Sequence, residues 1–496
     1  MLETQKSPEA KIVKKTKSWN IMTIIHYAIG LGLMIGFPML DPIEPITEIG
    51  MLILGVFIGM VYLWSTVDSI WPSLLGLFLI GMSEYAPINK VGLDAFGSDI
   101  VIMVLISMVL FGAVEYVGCT QYLARWFVTR EIINGKPYVF LFVFFLSSFV
   151  LSGLTTPMAS LLILWPIAVE FMHDFKVEKS NKAYGMVVFG VYLAATLGQP
   201  MFPFKGAALA VVGTYQRITG IQVNYLNYVL LHWILAITML ILFMLFVRFI
   251  YKPDLTGFKS VNVEQFKKNP LPPMNIQQKL FLGAVVVFIV MLLAPSFLPA
   301  TWLITVTLKK MGSLGVTMLI VGALVFLRID GKPALPFKAV AAKNLSWDVY
   351  FLVAAAMYGA NAVSNEVTGI KEWLIQVLQP LLGNRPEFVF VLFLLAFGMI
   401  TTNFANNAGM AVILLPVVLA FAEQYPGLNP TSISMLITLI VFFAILTPAA
   451  SPFAGMLHAR RDLISMKEIA IMGFPVCIAG LIVYTVIGLP LAKIFF

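Results

Sequence analysis

The chain has 496 residues, 60% of them hydrophobic and only 11% charged, with a formal net charge of +8. A soluble domain carries roughly 25% charged residues, so the composition excludes a water-soluble protein. The excess of Lys and Arg sits beside apolar runs, as in loops on the cytoplasmic side of a membrane, and gives no support to nucleic-acid binding.

Apolar runs recur at the length, about 17–25 residues, that crosses a bilayer. The N-terminal segment carries Lys6, Lys11, Lys14, Lys15 and Lys17 and is expected in the cytoplasm. The run at 20–40 is followed by Asp41 and Pro42, not by a small-residue cleavage site. It therefore reads as a retained helix. Further crossings are predicted near 49–65, 69–83, 99–117, 184–215 and 227–250. After a polar linker they are predicted near 278–298, 311–327, 347–364, 431–459 and 468–494. Lys309 and Lys310 depart from the positive-inside pattern, and nothing in the sequence explains them.

Two other segments, 137–172 and 386–424, hold paired apolar arms split by a polar patch. The arms are short for a full crossing. Arg125, Arg130 and Lys136 precede the first segment, and Lys176, Lys179 and Lys182 follow it. Both ends thus favour one side, which predicts a re-entrant hairpin. The second segment is predicted to enter from the opposite face. The expected fold is an all-α polytopic membrane protein with eleven transmembrane helices and two re-entrant hairpins. The division is residues 1–48 (N-terminus and first helix), 49–250 (first repeat), 251–277 (cytoplasmic linker) and 278–496 (second repeat). An odd number of crossings per copy makes the repeats inverted, the design of alternating access. A cell membrane is the expected location.

The two patches are Ser152-Gly153-Leu154-Thr155-Thr156-Pro157 and Thr402-Asn403-Phe404-Ala405-Asn406-Asn407. Each is followed by an apolar run ending in Pro, at Pro166 and Pro416, an offset of about 250 residues. Two crossings are also interrupted, one by Gly198-Gln199-Pro200 through Lys205, the other by Thr447-Pro448 through Ser451-Pro452. Proline removes a backbone donor and breaks a helix. Broken ends leave carbonyls for a cation and N–H groups for an anion. Within a bilayer such backbone persists only in protein or beside a wet cavity. A single kink is ordinary in a membrane helix; four in two matched pairs point to a binding site near the midplane.

The candidate substrate-binding residues are Thr155, Thr156, Asn403, Asn406, Asn407 and Lys205. The candidate ion-binding residues are Ser152, Gly198, Gln199, Thr402, Thr447 and Ser451. Lys205 has three open readings: it attracts an anion, it stands where another transporter holds Na⁺, or it snorkels to an interface. His458 is either a proton-linked group or a hydrogen-bonded helix residue. Asn361, Ser364 and Asn365 either line the pocket or cap a crossing. Glu115 and Glu170 read as interfacial. Paired acids and metal-ligating clusters are absent from the crossings, so an enzyme is not expected, and local polar patches disfavour a channel.

The stretch Asn406-Asn407-Ala408-Gly409-Met410 through Pro416, the ending Thr447 through Met466-Lys467-Glu468 to Gly473-Phe474, and Trp347-Asp348-Val349-Tyr350 through Thr368-Gly369 resemble the divalent anion/sodium symporter family of dicarboxylate, citrate and sulfate carriers. The resemblance implies a homodimer working as an elevator, with substrate carboxylates on the hairpin tips. It also implies Na⁺ held between each tip and its neighbouring broken helix; no other cofactor is expected. The chain has Thr156-Pro157-Met158 and Asn406-Asn407-Ala408 where the family shows Ser-Asn-Thr, and Gly198-Gln199-Pro200-Met201 for Gly-Thr-Pro-Pro. The expected function is secondary transport of a di- or monocarboxylate with Na⁺ coupling favoured; anion exchange or H⁺-coupled carriage, including of another anion such as sulfate, is the alternative.

Overall fold

The computed structural model describes residues 21–262, 264, 271–382, 385–404, 407–422, 428–448 and 450–496. Along the first half run α1 (Ile21–Leu31, extended to Met39 by irregular turns), α2 (Glu48–Thr66), α3 (Ile70–Gly81), α4 (Ile88–Phe96), α5 (Asp99–Tyr116) and α6 (Cys119–Val128). Then come α7 (Pro137–Leu154), α8 (Pro157–Asp174), α9 (Lys182–Gly198), α10 (Gly206–Thr219) and α11 (Tyr225–Phe246). The second half holds α12 (Ile276–Leu293), α13 (Leu303–Phe326), α14 (Phe337–Asn344), α15 (Trp347–Val363), α16 (Ile370–Leu382), α17 (Glu387–Thr402) and α18 (Asn407–Ala422). It ends with α19 (Pro430–Ile440), α20 (Pro452–Ala459), α21 (Met466–Val483) and α22 (Leu489–Phe495). From α5 onward the order of the first half recurs: crossing, short helix, helix pair, interrupted helix, long helix.

Eight helical segments among the described residues are long and apolar enough to cross a membrane by length and composition. This is a multi-pass membrane protein. Two expected crossings take a different form. The segment expected at 69–83 is the short α3. The one expected from 311 begins eight residues earlier, and α13 takes in Lys309 and Lys310 before Gly312 (φ 61°, ψ −178°) interrupts it. Four short helices, α4, α6, α14 and α16, escaped a reading tuned to long apolar runs. The one sheet among the described residues is a two-residue ribbon pairing Arg328 with Pro333 and Ile329 with Lys332.

Both polar patches are helix breaks joining paired arms. The α7–α8 arms are stitched across the turn, where Ser148 Oγ lies 3.0 Å from Ser160 Oγ. Burying hydroxyls in an apolar interior costs free energy unless each finds a partner. Ser148 Oγ accordingly donates to the Val191 carbonyl of α9 at 2.7 Å, and Ser152 Oγ to the Ala195 carbonyl at 2.6 Å. At the open end, Phe171 stacks edge-on with Phe140 and Phe144, each at 5.0 Å, and Phe258 from the linker packs on Phe175 at 5.5 Å. The linker is therefore partly folded onto this hairpin.

The halves interlock. Tyr192 OH on α9 donates to the Ala444 carbonyl at 2.6 Å, and Tyr215 OH on α10 lies 2.6 Å from Thr431 Oγ1. Just before α2, Thr47 N donates to the Thr368 carbonyl at 3.0 Å.

Candidate functional site

Both interrupted crossings are unwound in the structure. Between α9 and α10 the chain leaves helical geometry after Gln199, and α10 starts at Gly206, whose φ of +53° is open to glycine at no steric penalty. Tyr228 OH on α11 holds the loop by donating to the Pro200 carbonyl at 3.0 Å. The second break, over 441–448 and 450–451, is wider than the Thr447–Pro452 stretch expected.

A cavity of about 680 Å³ lies between these breaks, within the range of a small-molecule site. Its wall includes Ala207 near the start of α10, Asn407 at the start of α18, and Pro452 and Phe453 at the start of α20. Three helix N-termini thus open on one space. Each presents backbone N–H groups and the positive end of a dipole, the elements of an anion site. Ser451 caps α20, accepting from Ala454 N at 3.1 Å, and Gln199 Oε1 is buried beside the cavity without a hydrogen-bond partner. Trp64, Asp68, Ser346 and Asp348 also line it, and among the described residues its wall holds no Lys or Arg.

Of the expected residues, Gln199, Asn407 and Ser451 meet at this cavity. Asn406 lies outside the described residues. Thr155, Thr156, Ser152, Gly198, Thr402, Asn403, Thr447 and Lys205 are not on its wall. Asn403, expected to hold substrate, is instead a buried staple. Its Nδ2 donates to the Met399 carbonyl at 2.7 Å and the Phe443 carbonyl at 3.0 Å. Its Oδ1 accepts from Ile445 N at 2.9 Å and Leu446 N at 2.7 Å. An amide has two donors and an acceptor with two lone pairs, so no capacity is left for an anion. Thr447 Oγ1 donates to the Asn403 carbonyl. Thr402 Oγ1 donates to the Val441 carbonyl at 2.6 Å and lies 3.0 Å from Asn407 Oδ1.

The first tip is built differently. Lys205 Nζ donates to the Gly153 carbonyl at 2.8 Å, the Ser152 carbonyl at 3.3 Å, and the Thr155 carbonyl. These carbonyls end α7, where the helix dipole is negative, so the ammonium sits where a bare cation would be coordinated. The ring of Phe111 on α5 lies 4.9 Å from Nζ, adding a cation–π contact. Glu115, one turn further along α5, contributes the opposing charge. The remaining hydroxyls are internal: Thr155 Oγ1 donates to the Leu151 carbonyl at 2.6 Å, and Thr156 caps α8 by accepting from Ala159 N at 3.1 Å. Gly198 is required by close packing, because a Cβ there would stand 2.1 Å from the Phe149 carbonyl oxygen.

His458 is buried with Nε2 3.1 Å from the Ile445 carbonyl, the hydrogen-bonded reading. Asn365 caps a short turn by accepting from Val367 N at 3.1 Å. The sequence reading missed Tyr192, Tyr228 and Phe111. A signal existed for the tyrosines, since a phenol within an apolar run must find a partner for its hydroxyl.

The family described as the sodium:sulfate symporter transmembrane region matches residues 15–495. The citrate/succinate antiporter of Escherichia coli (strain K12) is 22% identical over 293 residues, as is the protein of the same name from Escherichia coli O157:H7. That stretch covers 58% of this chain and 55% of each antiporter, so the chain spans about half the length of the curated relatives it matches. The crystal structure of the Alcanivorax borkumensis YdaH transporter shares the fold. Its TM-score is 0.50 at 15% identity, over 81% of this chain and 86% of that one. With the family matched over almost its whole length, the chain belongs to the sodium:sulfate symporter family of membrane transporters.

Proposed function

We propose that the protein is a secondary carrier of small carboxylates that works by anion exchange. The observation that carries this reading is the Lys205 ammonium on the carbonyls of the first tip. A resident charge fills the place of a coupling cation, and unlike Na⁺ it cannot leave with the substrate. The cavity where three helix N-termini meet then binds the anion, oriented by Asn407, Ser451 and Gln199. The antiporter name of the relatives supports exchange, and citrate and succinate are the first substrates to try.

In this reading the two hairpins and the two broken helices move as one body against α2–α5 and α12–α15, the elevator type of alternating access. Na⁺ coupling survives as a second reading only at the second tip, where neutral Thr402, Asn403 and Thr447 surround the break and no ammonium enters.

The test uses proteoliposomes with labelled succinate outside. Uptake is expected only when unlabelled succinate or citrate is loaded inside, at equal rates in Na⁺ and in K⁺. Asn407→Ala should lower that exchange about 100-fold, the scale of one charge-assisted hydrogen bond to a buried anion. Uptake into empty vesicles that requires external Na⁺ would refute exchange.

A further inference from the structure

A second groove, of about 360 Å³, runs between the short helix α6 and the hairpin arm α8. Along α8 its wall is Leu162, Ile163, Pro166 and Ile167, then Glu170 and Asp174. These share one helical face, at steps of three and four residues. The groove is therefore graded, apolar toward the hairpin tip and acidic toward the open end. Leu162 is 58% exposed, so the apolar end opens to the hydrocarbon. From its other side, α6 contributes Gln121 and Arg125 to the same groove. Among the described residues no ion pair joins Arg125 to either carboxylate; Asp174 faces only His173, at 3.7 Å.

An apolar groove that also holds one guanidinium and two separate carboxylates has the charge set of a zwitterionic lipid. We propose that the groove holds a phosphatidylethanolamine molecule. One acyl chain lies along Leu162–Ile167. The phosphate is held by Arg125, with Gln121 as a further donor, and the ammonium by Glu170 and Asp174. A planar guanidinium suits phosphate, and a primary ammonium can give hydrogen bonds to both carboxylates. Free phosphate has no use for the apolar end, and an anionic headgroup, with its phosphate on Arg125, brings no ammonium to the two carboxylates. The lipid would tie the moving hairpin to α6, the short helix just before it.

Native mass spectrometry of the full-length protein, incubated with equal amounts of phosphatidylethanolamine, phosphatidylglycerol and phosphatidylcholine, tests this. Phosphatidylethanolamine should be retained about tenfold over the other two, the scale of a lost charge-assisted hydrogen bond. Glu170→Gln with Asp174→Asn, both surface positions, should erase the preference. Arg125→Gln should weaken retention of all three lipids. Leu162→Trp, filling the apolar end, should lower the retained phosphatidylethanolamine without touching the charges. Equal retention of the three lipids by the wild type, or a preference unchanged in the double variant or in Leu162→Trp, overturns the proposal. Retention of phosphatidylcholine equal to phosphatidylethanolamine also overturns it, because a quaternary ammonium cannot donate hydrogen bonds.

Discussion

The two hairpin tips occupy corresponding places in the chain, yet they are held by opposite means. The first is closed by charge: three carbonyls at the end of α7 converge on the Lys205 ammonium. The second is closed by neutral groups: the Asn403 amide makes four hydrogen bonds, and Thr402 and Thr447 add hydroxyl bonds to backbone carbonyls. A cation at a helix C-terminus is favoured by the dipole but carries a desolvation cost. A satisfied amide carries no net charge and no such cost. The halves therefore share an architecture without sharing an electrostatic role. The first brings a fixed charge to the carbonyls that end α7, and the second brings the amide of Asn407 to the cavity wall.

The largest effect should come from the neutral staple. Asn403→Ala leaves two backbone N–H groups and two carbonyls without their partner inside the protein. Each unsatisfied buried group costs roughly 1–3 kcal/mol, so a loss on the order of 4 kcal/mol is expected. The purified variant should melt far below the wild type and show no exchange. Wild-type stability in that variant would mean that the amide is not the staple drawn here.

Next in size is Lys205. Lys205→Ala strips the three carbonyls of their cation and opens a space for an ion. The variant should lose exchange in K⁺ by about tenfold, and Na⁺ should restore part of the loss. Thermal stabilisation by Na⁺, absent in the wild type, should appear with it, because a ligand that binds only the folded state raises apparent stability. If neither flux nor stability changes in either salt, the ammonium does no more than snorkel and the contrast between the tips loses its functional meaning.

Much of this was legible in the sequence because membrane proteins advertise their breaks. The Ser152–Pro157 and Thr402–Asn407 patches, and the prolines at 200, 448 and 452, stand out against hydrocarbon, and among the described residues a helix ends or begins at or close to each. The division of labour within each patch was not legible. Asn403 and Asn407 are alike as letters, yet one faces carbonyls and amides of the second break and the other reaches the cavity. Only the packing of α17 against that break separates them. Lys205 left three readings open because its partners lie about 50 residues earlier, at a distance that no local pattern encodes. Lys309 and Lys310 had no account in sequence; in the structure they lie on α13, and Lys309 borders a separate polar cavity with Arg217, Asp94 and Asp99.

A last comparison separates two glycines of the first half and sharpens how tightly its tip is pinned. At Gly198 an added Cβ would stand 2.1 Å from the backbone oxygen of Phe149, and at Gly153 it would stand 2.4 Å from Met201 Sδ. Backbone in the middle of α7 cannot withdraw without disturbing the Ser148 and Ser152 bonds to α9. A methionine can swing its thioether aside, since three rotatable bonds let it refill the space. Gly198→Ala should therefore cost on the order of 2–3 kcal/mol, the range of overpacking, and Gly153→Ala about 1 kcal/mol or less. Melting temperatures of the two variants in one detergent measure the difference. Equal losses would show that the α7–α9 contact yields as easily as a side chain, and that the first tip is held by Lys205 rather than by close packing.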